Sequence, residues 1–410
     1  MDRKDINRLR SLAAHQAELA ASEKNLERVA LWKRHNACRG ERPVIHIEEG
    51  TFGHQAIGPQ LQCRDEFARS LEWGLLHNCI GLETFDDDRV VAPWFGIEYD
   101  RHFRLFGHSI RQDVLRQEDG TELGHKFEHI ISDLEEDWDK ILQPTEFGVD
   151  KVSTLANKER IEDIFGDILP VRLVCSSLYA VPTQQVVHMM GMENMLYSIY
   201  DYPELFLEMM DRIADSYIQS FRHLESEGVL IQNRSFEWVA QGSMAFWEGP
   251  EVTGPAKTTD LWGFLDSQET VGMSPAMFRE FIFPCYKKIA QLFGRLSYGC
   301  CEPVSAFWED IRTLPNLKKV SISPWCDEEY MAQQLRGTDI IYQRKPSPNF
   351  LGVGSTLDEE GARAHIEKTL KTAQGCHVEI TQRDVYTVGG DLSRVQRYVQ
   401  IIRECIDKCW

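Results

Sequence analysis

Residues Arg295–Asp327, RLSYGCCEPVSAFWEDIRTLPNLKKVSISPWCD, bring thiols and carboxylates into one short stretch. Leu296-Ser297-Tyr298 is β-prone, and Gly299-Cys300-Cys301-Glu302-Pro303 cannot continue a strand. Val304 to Leu314 has helical apolar spacing, Pro315-Asn316 ends it, and Val320-Ser321-Ile322-Ser323 begins a second strand. In a parallel α/β protein the ligand-facing ends of strands carry the chemistry. Cys300, Cys301 and Glu302 stand at one such end, and Cys326 and Asp327 at the next. Thiolates and a carboxylate dispersed in this way can hold a catalytic zinc ion with one position open. Against that, free cysteine is a common small core residue, and neighbours on a strand point to opposite faces. There is no CxxC pair, which excludes a zinc ribbon or finger.

The surrounding elements alternate. Residues 5–36 read as a helix on the spacing of Ile6, Leu9, Leu12, Leu19, Leu26, Val29, Leu31 and Trp32; it packs across the bottom of a barrel or onto a neighbouring subunit, which leaves a homodimer open. Strands are expected at 43–47, 80–84, 171–176, 228–231, 262–267, 296–298, 320–323, 339–342 and 377–380. Helices are expected at 65–78, 157–165, 184–226 with a break near Pro203, 275–293, 357–373 and 394–409. Residues 86–152 break this rhythm with mixed aromatic and charged residues and read as an insertion that partly covers the barrel mouth. Its histidines, His102, His108, His125 and His129, match no ligand spacing and read as surface residues. With no GxGxxG and no phosphate-binding loop, the alternation favours a (β/α)8 TIM barrel over residues 41–410, after an N-terminal helical extension at 1–40.

Composition narrows the function. The 410 residues carry a formal net charge of −19, which argues against nucleic acid and anionic membrane as partners. No apolar run approaches a bilayer span and the first residues are no signal peptide, so the expected compartment is the cytoplasm. Eleven irregularly spaced cysteines fit that reducing compartment as free thiols.

Leu265-Asp266-Ser267, followed by Met273-Ser274-Pro275-Ala276-Met277-Phe278-Arg279-Glu280-Phe281 and Pro284-Cys285-Tyr286-Lys287-Lys288-Ile289, resembles the uroporphyrinogen decarboxylase superfamily. There an Asp-Ser step leads into an S-P-x-x-F-x-x-F-x-x-P-x-Y-K-K-I helix. The likeness covers about residues 160–405. The first-strand exit, Glu48-Glu49-Gly50-Thr51-Phe52-Gly53-His54, is acidic where the decarboxylases carry an arginine-rich segment, so it would repel a polycarboxylate tetrapyrrole. The chain is thus more similar to the corrinoid-dependent methyltransferase branch, whose zinc ligands are an H-x-C pair and a later cysteine. Tyr298 stands at the histidine position and Cys300 at the first cysteine. The closing region offers Glu379 and Asp384 instead of the last cysteine, so the ligand set is only partly matched.

The resemblance implies methyl transfer from a small donor, such as an aryl methyl ether, to a corrinoid carried by a partner protein, or between corrinoid and a thiol, with zinc assisting. Cys300, Cys301, Glu302 and Cys326 are the candidate metal ligands, and Tyr298, Asp266 and Asp384 the candidate catalytic groups. Glu48, Phe236, Trp238, Trp247, Trp325 and Arg344 are candidates for binding substrate. Two alternatives stand beside this: a metal-independent decarboxylase or lyase using Asp266 and Arg344 on a small carboxylate, and a non-catalytic barrel that only binds.

Overall fold

The computed structural model describes residues 1–116 and 122–410. Seven strands make one parallel sheet: β1 (Val44–Ile47), β2 (Leu178–Ala180), β3 (Trp262–Leu265), β4 (Arg295–Tyr298), β5 (Leu317–Ile322), β6 (Ile341–Arg344) and β7 (His377–Gln382). From β2 to β7 each strand pairs with its successor in the chain, and β7 pairs with β1. Parallel neighbours need long crossovers. These are supplied by helices such as Phe283–Ala290, Glu328–Leu335 and Glu359–Thr372.

Alternation along the strands sorts the side chains onto two faces. Ile45, Ile47, Leu296, Val320, Ile322, Tyr342, Val378 and Ile380 belong to the large apolar core between sheet and helices. Their neighbours on the opposite face, His46, Lys319, Ser321, Gln343, Glu379 and Thr381, are polar and buried. Lys319 Nζ lies 2.6 Å from Glu379 Oε1 and 2.8 Å from Asn36 Oδ1. His35 Nε2 lies 3.1 Å from the same Glu379 oxygen.

His35 and Asn36 end the second of two N-terminal helices, Arg3–Ala21 and Glu23–Asn36. The expected single helix is broken at Ser22, whose hydroxyl accepts the Asn25 N–H and caps the second segment. Asn36 also donates to the carbonyls of Met244 and Phe246. The helix end is therefore sealed against the polar face of the sheet within the same chain.

Two expected strands are not formed. Residues 80–84 continue the helix Glu66–Ile80 through a π-helical turn, Gly81–Phe85, which stops at Asp86 in the left-handed region. A short apolar run does not distinguish a strand from a buried helix end. Residues 228–231 make no ladder, because β3 is already paired on both sides, with β2 and β4. Part of the expected strand at 171–176, Val171–Leu173, pairs with Phe95–Ile97 away from the main sheet.

Among the described residues no backbone ladder joins β1 to β2. The free side of β1 is met by the segment that holds Asp87 and Asp88: the Asp88 N–H donates to the Ile45 carbonyl at 2.8 Å. Asp88 Oδ2 accepts the Ile45 N–H at 2.8 Å and Asp87 Oδ2 the Ile47 N–H at 2.8 Å. Within residues 86–152, Asp100–Arg104 pairs antiparallel with Glu146–Asp150, and Gln112–Arg116 with the strand Glu122–Phe127; residues 117–121 of this segment lie outside the described residues. Arg101, His102 and Phe103 line a cavity of about 340 Å³ with Tyr179 and Tyr217. No helix of the described residues is long and apolar enough to cross a membrane.

Candidate functional site

The thiol turn is built by its backbone. Gly299 donates to the Leu265 carbonyl at 2.8 Å, extending the β3–β4 pairing by one residue, and then turns with φ +97°. Glu302 is fully buried and holds the turn: Oε2 accepts the Cys300 N–H at 2.7 Å, and Oε1 the Ser267 N–H at 2.9 Å. Ser321 Oγ and Lys345 Nζ both donate to the Cys300 carbonyl, at 2.7 and 3.1 Å.

Two of the expected metal ligands are thereby placed elsewhere. The carboxylate of Glu302 is given over to backbone N–H groups. Cys326 contacts the Glu302 carbonyl at 3.7 Å and receives a bond from Ser323 Oγ at 3.7 Å, and burial pushes its thiol up. What remains together is Cys300, Cys301 and Asp384. The two sulfurs are 3.6 Å apart, and Cys301 Sγ is 3.6 Å from Asp384 Oδ2. The bond from Cys300 lowers the Cys301 thiol and raises that of Cys300.

Asp266, just past β3, is buried, and its Oδ1 has no hydrogen-bond partner in the protein. Burial, then the neighbouring Glu302, Cys300 and Glu269, raise its carboxyl well above the ordinary range. Tyr298 does not reach the thiols. It is fully buried in the core between strands and helices, with its hydroxyl 2.7 Å from Ser267 Oγ.

Of the expected substrate-binding residues, Glu48 and Trp238 share a cavity of about 290 Å³ with His46, Glu49, His77, Arg89 and Gln241. Arg344 points away from it, as the strand alternation requires. Its Nη1 is bound by the carbonyls of Ile322, Ser323 and Lys345, and its Nη2 by Glu328 and His365. Trp247 instead packs under the Arg295 guanidinium at the start of β4, and Phe236 packs against Trp94 and Phe246. Trp325 is 75% exposed. Two of the inserted histidines bond carbonyls: His108 that of Lys140, and His129 that of His188.

Two cations that the sequence did not single out link this cavity to the thiols. Arg383 Nε bridges Glu48 at 3.1 Å and Asp384 at 3.2 Å. The buried Lys345 donates to Gln241 Oε1 at 2.9 Å as well as to Cys300 O. Gln241 lies in a turn in which Ala240, Gln241 and Gly242 all have positive φ (91°, 54° and 78°). Two of the three are not glycine, a strained arrangement of the kind found at binding sites. A Cβ on Gly242 would lie 2.5 Å from His46 Nδ1 and 2.7 Å from Thr381 Cγ2. Gly242→Ala should therefore destabilise the chain by more than about 1 kcal/mol, read as a lower urea midpoint; an unchanged midpoint would mean that the turn is free to relax.

With this geometry in place, the chain can be set beside known proteins. Its fold resembles that of a methyltransferase from Methanosarcina mazei. The TM-score is 0.50 at 12% sequence identity, over 91% of this chain and 97% of that one. At this identity the likeness is one of fold. A B12-independent methionine synthase from Shewanella sp. W3-18-1, in complex with selenomethionine, matches at 9% identity and a TM-score of 0.31 over 75% of this chain and 76% of that one. That match is too distant to carry an argument. No protein-family model matches the chain, and no curated protein matches it in sequence.

Proposed function

We propose that this chain is a methyltransferase that moves a methyl group from a small donor to a corrinoid carried by a separate protein, with zinc at the thiol turn assisting. The observation that carries the reading is the convergence of Cys300, Cys301 and Asp384, at the C-terminal ends of two strands, with Asp266, a buried carboxyl raised above its ordinary range, beyond a third. The fold likeness to a methyltransferase supports it. The catalytic unit in this reading is a barrel over residues 41–410 that bears the insertion 86–152, in the cytoplasm, where the free cysteines stay reduced.

Tetrahedral ligation with Zn–S of about 2.3 Å and Zn–O of about 2.0 Å requires S···S and S···O edges of roughly 3.5–3.8 Å. Both 3.6 Å contacts fit. No three donors among the described residues already surround one point as a ready cage. Zinc held there would lower the basicity of a departing oxygen.

The chain's own groups supply the rest. Loss of a methyl cation from an ether oxygen leaves an oxyanion, and Asp266 holds the proton that neutralises it. Arg383 and Lys345 place positive charge beside the thiols and favour the Cys301 thiolate. Loops beyond the strand ends carry exposed apolar side chains, Val271, Trp325, Val353 and Tyr386, which suit a protein partner that caps this end. The lyase alternative is disfavoured because Arg344, the cation it needs, is saturated by internal acceptors.

Cys300→Ser and Cys301→Ser should each lower bound zinc and cut methyl transfer to cob(I)alamin by about 100-fold or more, while unfolding stays cooperative. Metal content by mass spectrometry and the corrinoid absorbance change check both. Full activity in both variants without metal would overturn the zinc assignment, and absence of methyl transfer from every donor tried would overturn the function.

A further inference from the structure

Among the described residues, Cys300 and Cys301 are the only two thiols in hydrogen-bonding contact, with their sulfurs 3.6 Å apart. All eleven cysteines are free; eight are buried, and Cys38, Cys301 and Cys409 are half-buried. Cys301 is therefore the accessible member of the pair, and Cys300, 7% exposed, is the sheltered one. An accessible thiol with a second thiol beside it is the arrangement of a redox-sensitive pair, because the second resolves the mixed disulfide that the first forms.

The turn holds Cys300 on both sides. Glu302 accepts its N–H, and Ser321 and Lys345 donate to its carbonyl. Groups fixed side by side react as if highly concentrated, so closure within the pair outruns attack by a second molecule of oxidant. The closed pair is strained. Adjacent Cα atoms across a trans peptide are about 3.8 Å apart, whereas the Cα atoms of a disulfide ordinarily lie roughly 4.4–6.8 Å apart. A bond forced into the shorter span is readily reduced, which suits a reversible modification and not a structural crosslink.

We propose that Cys300 and Cys301 are a modification site: a small-molecule disulfide oxidises them to a disulfide between adjacent residues, and a dithiol reverses it. Cys301 releases its proton to solvent, and its Sγ attacks one sulfur of the oxidant, expelling the other half as a thiolate. Cys300 gives its proton to that thiolate, and its Sγ attacks Cys301 Sγ, expelling the second half, which takes up the proton from solvent. Two thiols of the chain are thereby oxidised, and the oxidant is reduced to two thiols. A consequence rests on the methyl-transfer reading: the closed pair has no thiolate left for zinc, so oxidation stops the reaction. Closure itself does not depend on that reading.

The test treats the full chain, dialysed against EDTA, with bis(2-hydroxyethyl) disulfide, an uncharged oxidant that the chain's charge of −19 does not repel. Remaining thiols are then alkylated, and the tryptic peptide 296–312, which holds Cys300 and Cys301 and no other cysteine, is analysed by mass spectrometry. It should lose two hydrogens and both alkylation sites at least about tenfold faster than Cys38 or Cys409 takes up the oxidant, and dithiothreitol should restore it. Cys300→Ser should stop with one mercaptoethanol held on Cys301. Both residues still alkylated after Cys38 and Cys409 have reacted, a mixed disulfide that persists on Cys301 of the unaltered chain, or a link from either residue to another cysteine overturns the proposal. If the closed chain still binds zinc and transfers methyl, the zinc assignment fails and the modification site stands. If the pair never closes while Cys301→Ser loses zinc and methyl transfer, the reading stands and the modification site fails.

Discussion

Lys319→Met should cost about 3–5 kcal/mol of folding stability, the usual effect of removing one partner from a buried ion pair. Lys319 and Glu379 are both buried, and nothing else on that face carries a full positive charge within reach of Glu379 Oε1 unless His35 is protonated. Burial acts to raise the Glu379 carboxyl, but the Lys319 ammonium and the His35 bond hold it down to about 2. The sign of the pH dependence follows. A carboxyl depressed from 4.5 contributes stability that is complete above about pH 4.5 and is lost as pH falls toward 2. In Lys319→Met that acid-side loss should disappear, because the unpaired carboxyl then prefers its proton. Lys319→Met/Glu379→Leu should recover most of the cost. Urea denaturation at pH 7 and pH 4 measures all three chains, and a single-variant cost below about 1 kcal/mol would show that the pair contributes little.

Asp266→Asn should reduce methyl transfer by about 10²–10⁴-fold, the range for a lost general acid, and should at the same time raise the melting temperature. The second effect separates catalysis from structure. Burial and the neighbouring Glu302 raise the Asp266 carboxyl in the fold, while in the unfolded chain it ionises near its ordinary 3.8. Stability therefore falls as pH rises above that value, until the folded group ionises too. Asparagine keeps the shape and has no proton to lose, so it removes this penalty. The rate of the unaltered enzyme should fall at high pH as Asp266 ionises, and the variant's residual rate should not follow that limb. A variant with normal rate would show that the proton comes from elsewhere; a variant with lower stability would show that the carboxyl is structural.

Much of the architecture was legible in local patterns. The helix beyond Ser274-Pro275 and β3 to β7 lie close to where apolar spacing placed them, because each buries one face against a neighbour close in sequence. The missed strands at 80–84 and 228–231 are apolar runs whose state depended on long-range pairing. The site was legible in part. Cys300, Cys301 and Asp384 stand within contact of one another in turn, but which face Arg344 occupies depends on strand parity, and a shift of one residue makes Lys345 the inward cation. Residue type alone also did not reveal that Glu302 would be held by two backbone N–H groups. His46 sits in an ordinary strand sequence, and nothing there shows that both its ring nitrogens are buried without a bond.

The carboxylates of Asp87 and Asp88 along the free side of β1 have a consequence for behaviour in concentrated solution. An open sheet edge is a template on which another copy can add a strand and begin a fibre. Here the N–H groups of Ile45 and Ile47 are already taken, and by acceptors that offer an incoming strand no ladder to extend. Asp88 is further clamped by Arg42 and Arg403. This side of β1 thus offers an incoming strand no free ladder, and the chain's charge of −19 adds mutual repulsion between copies.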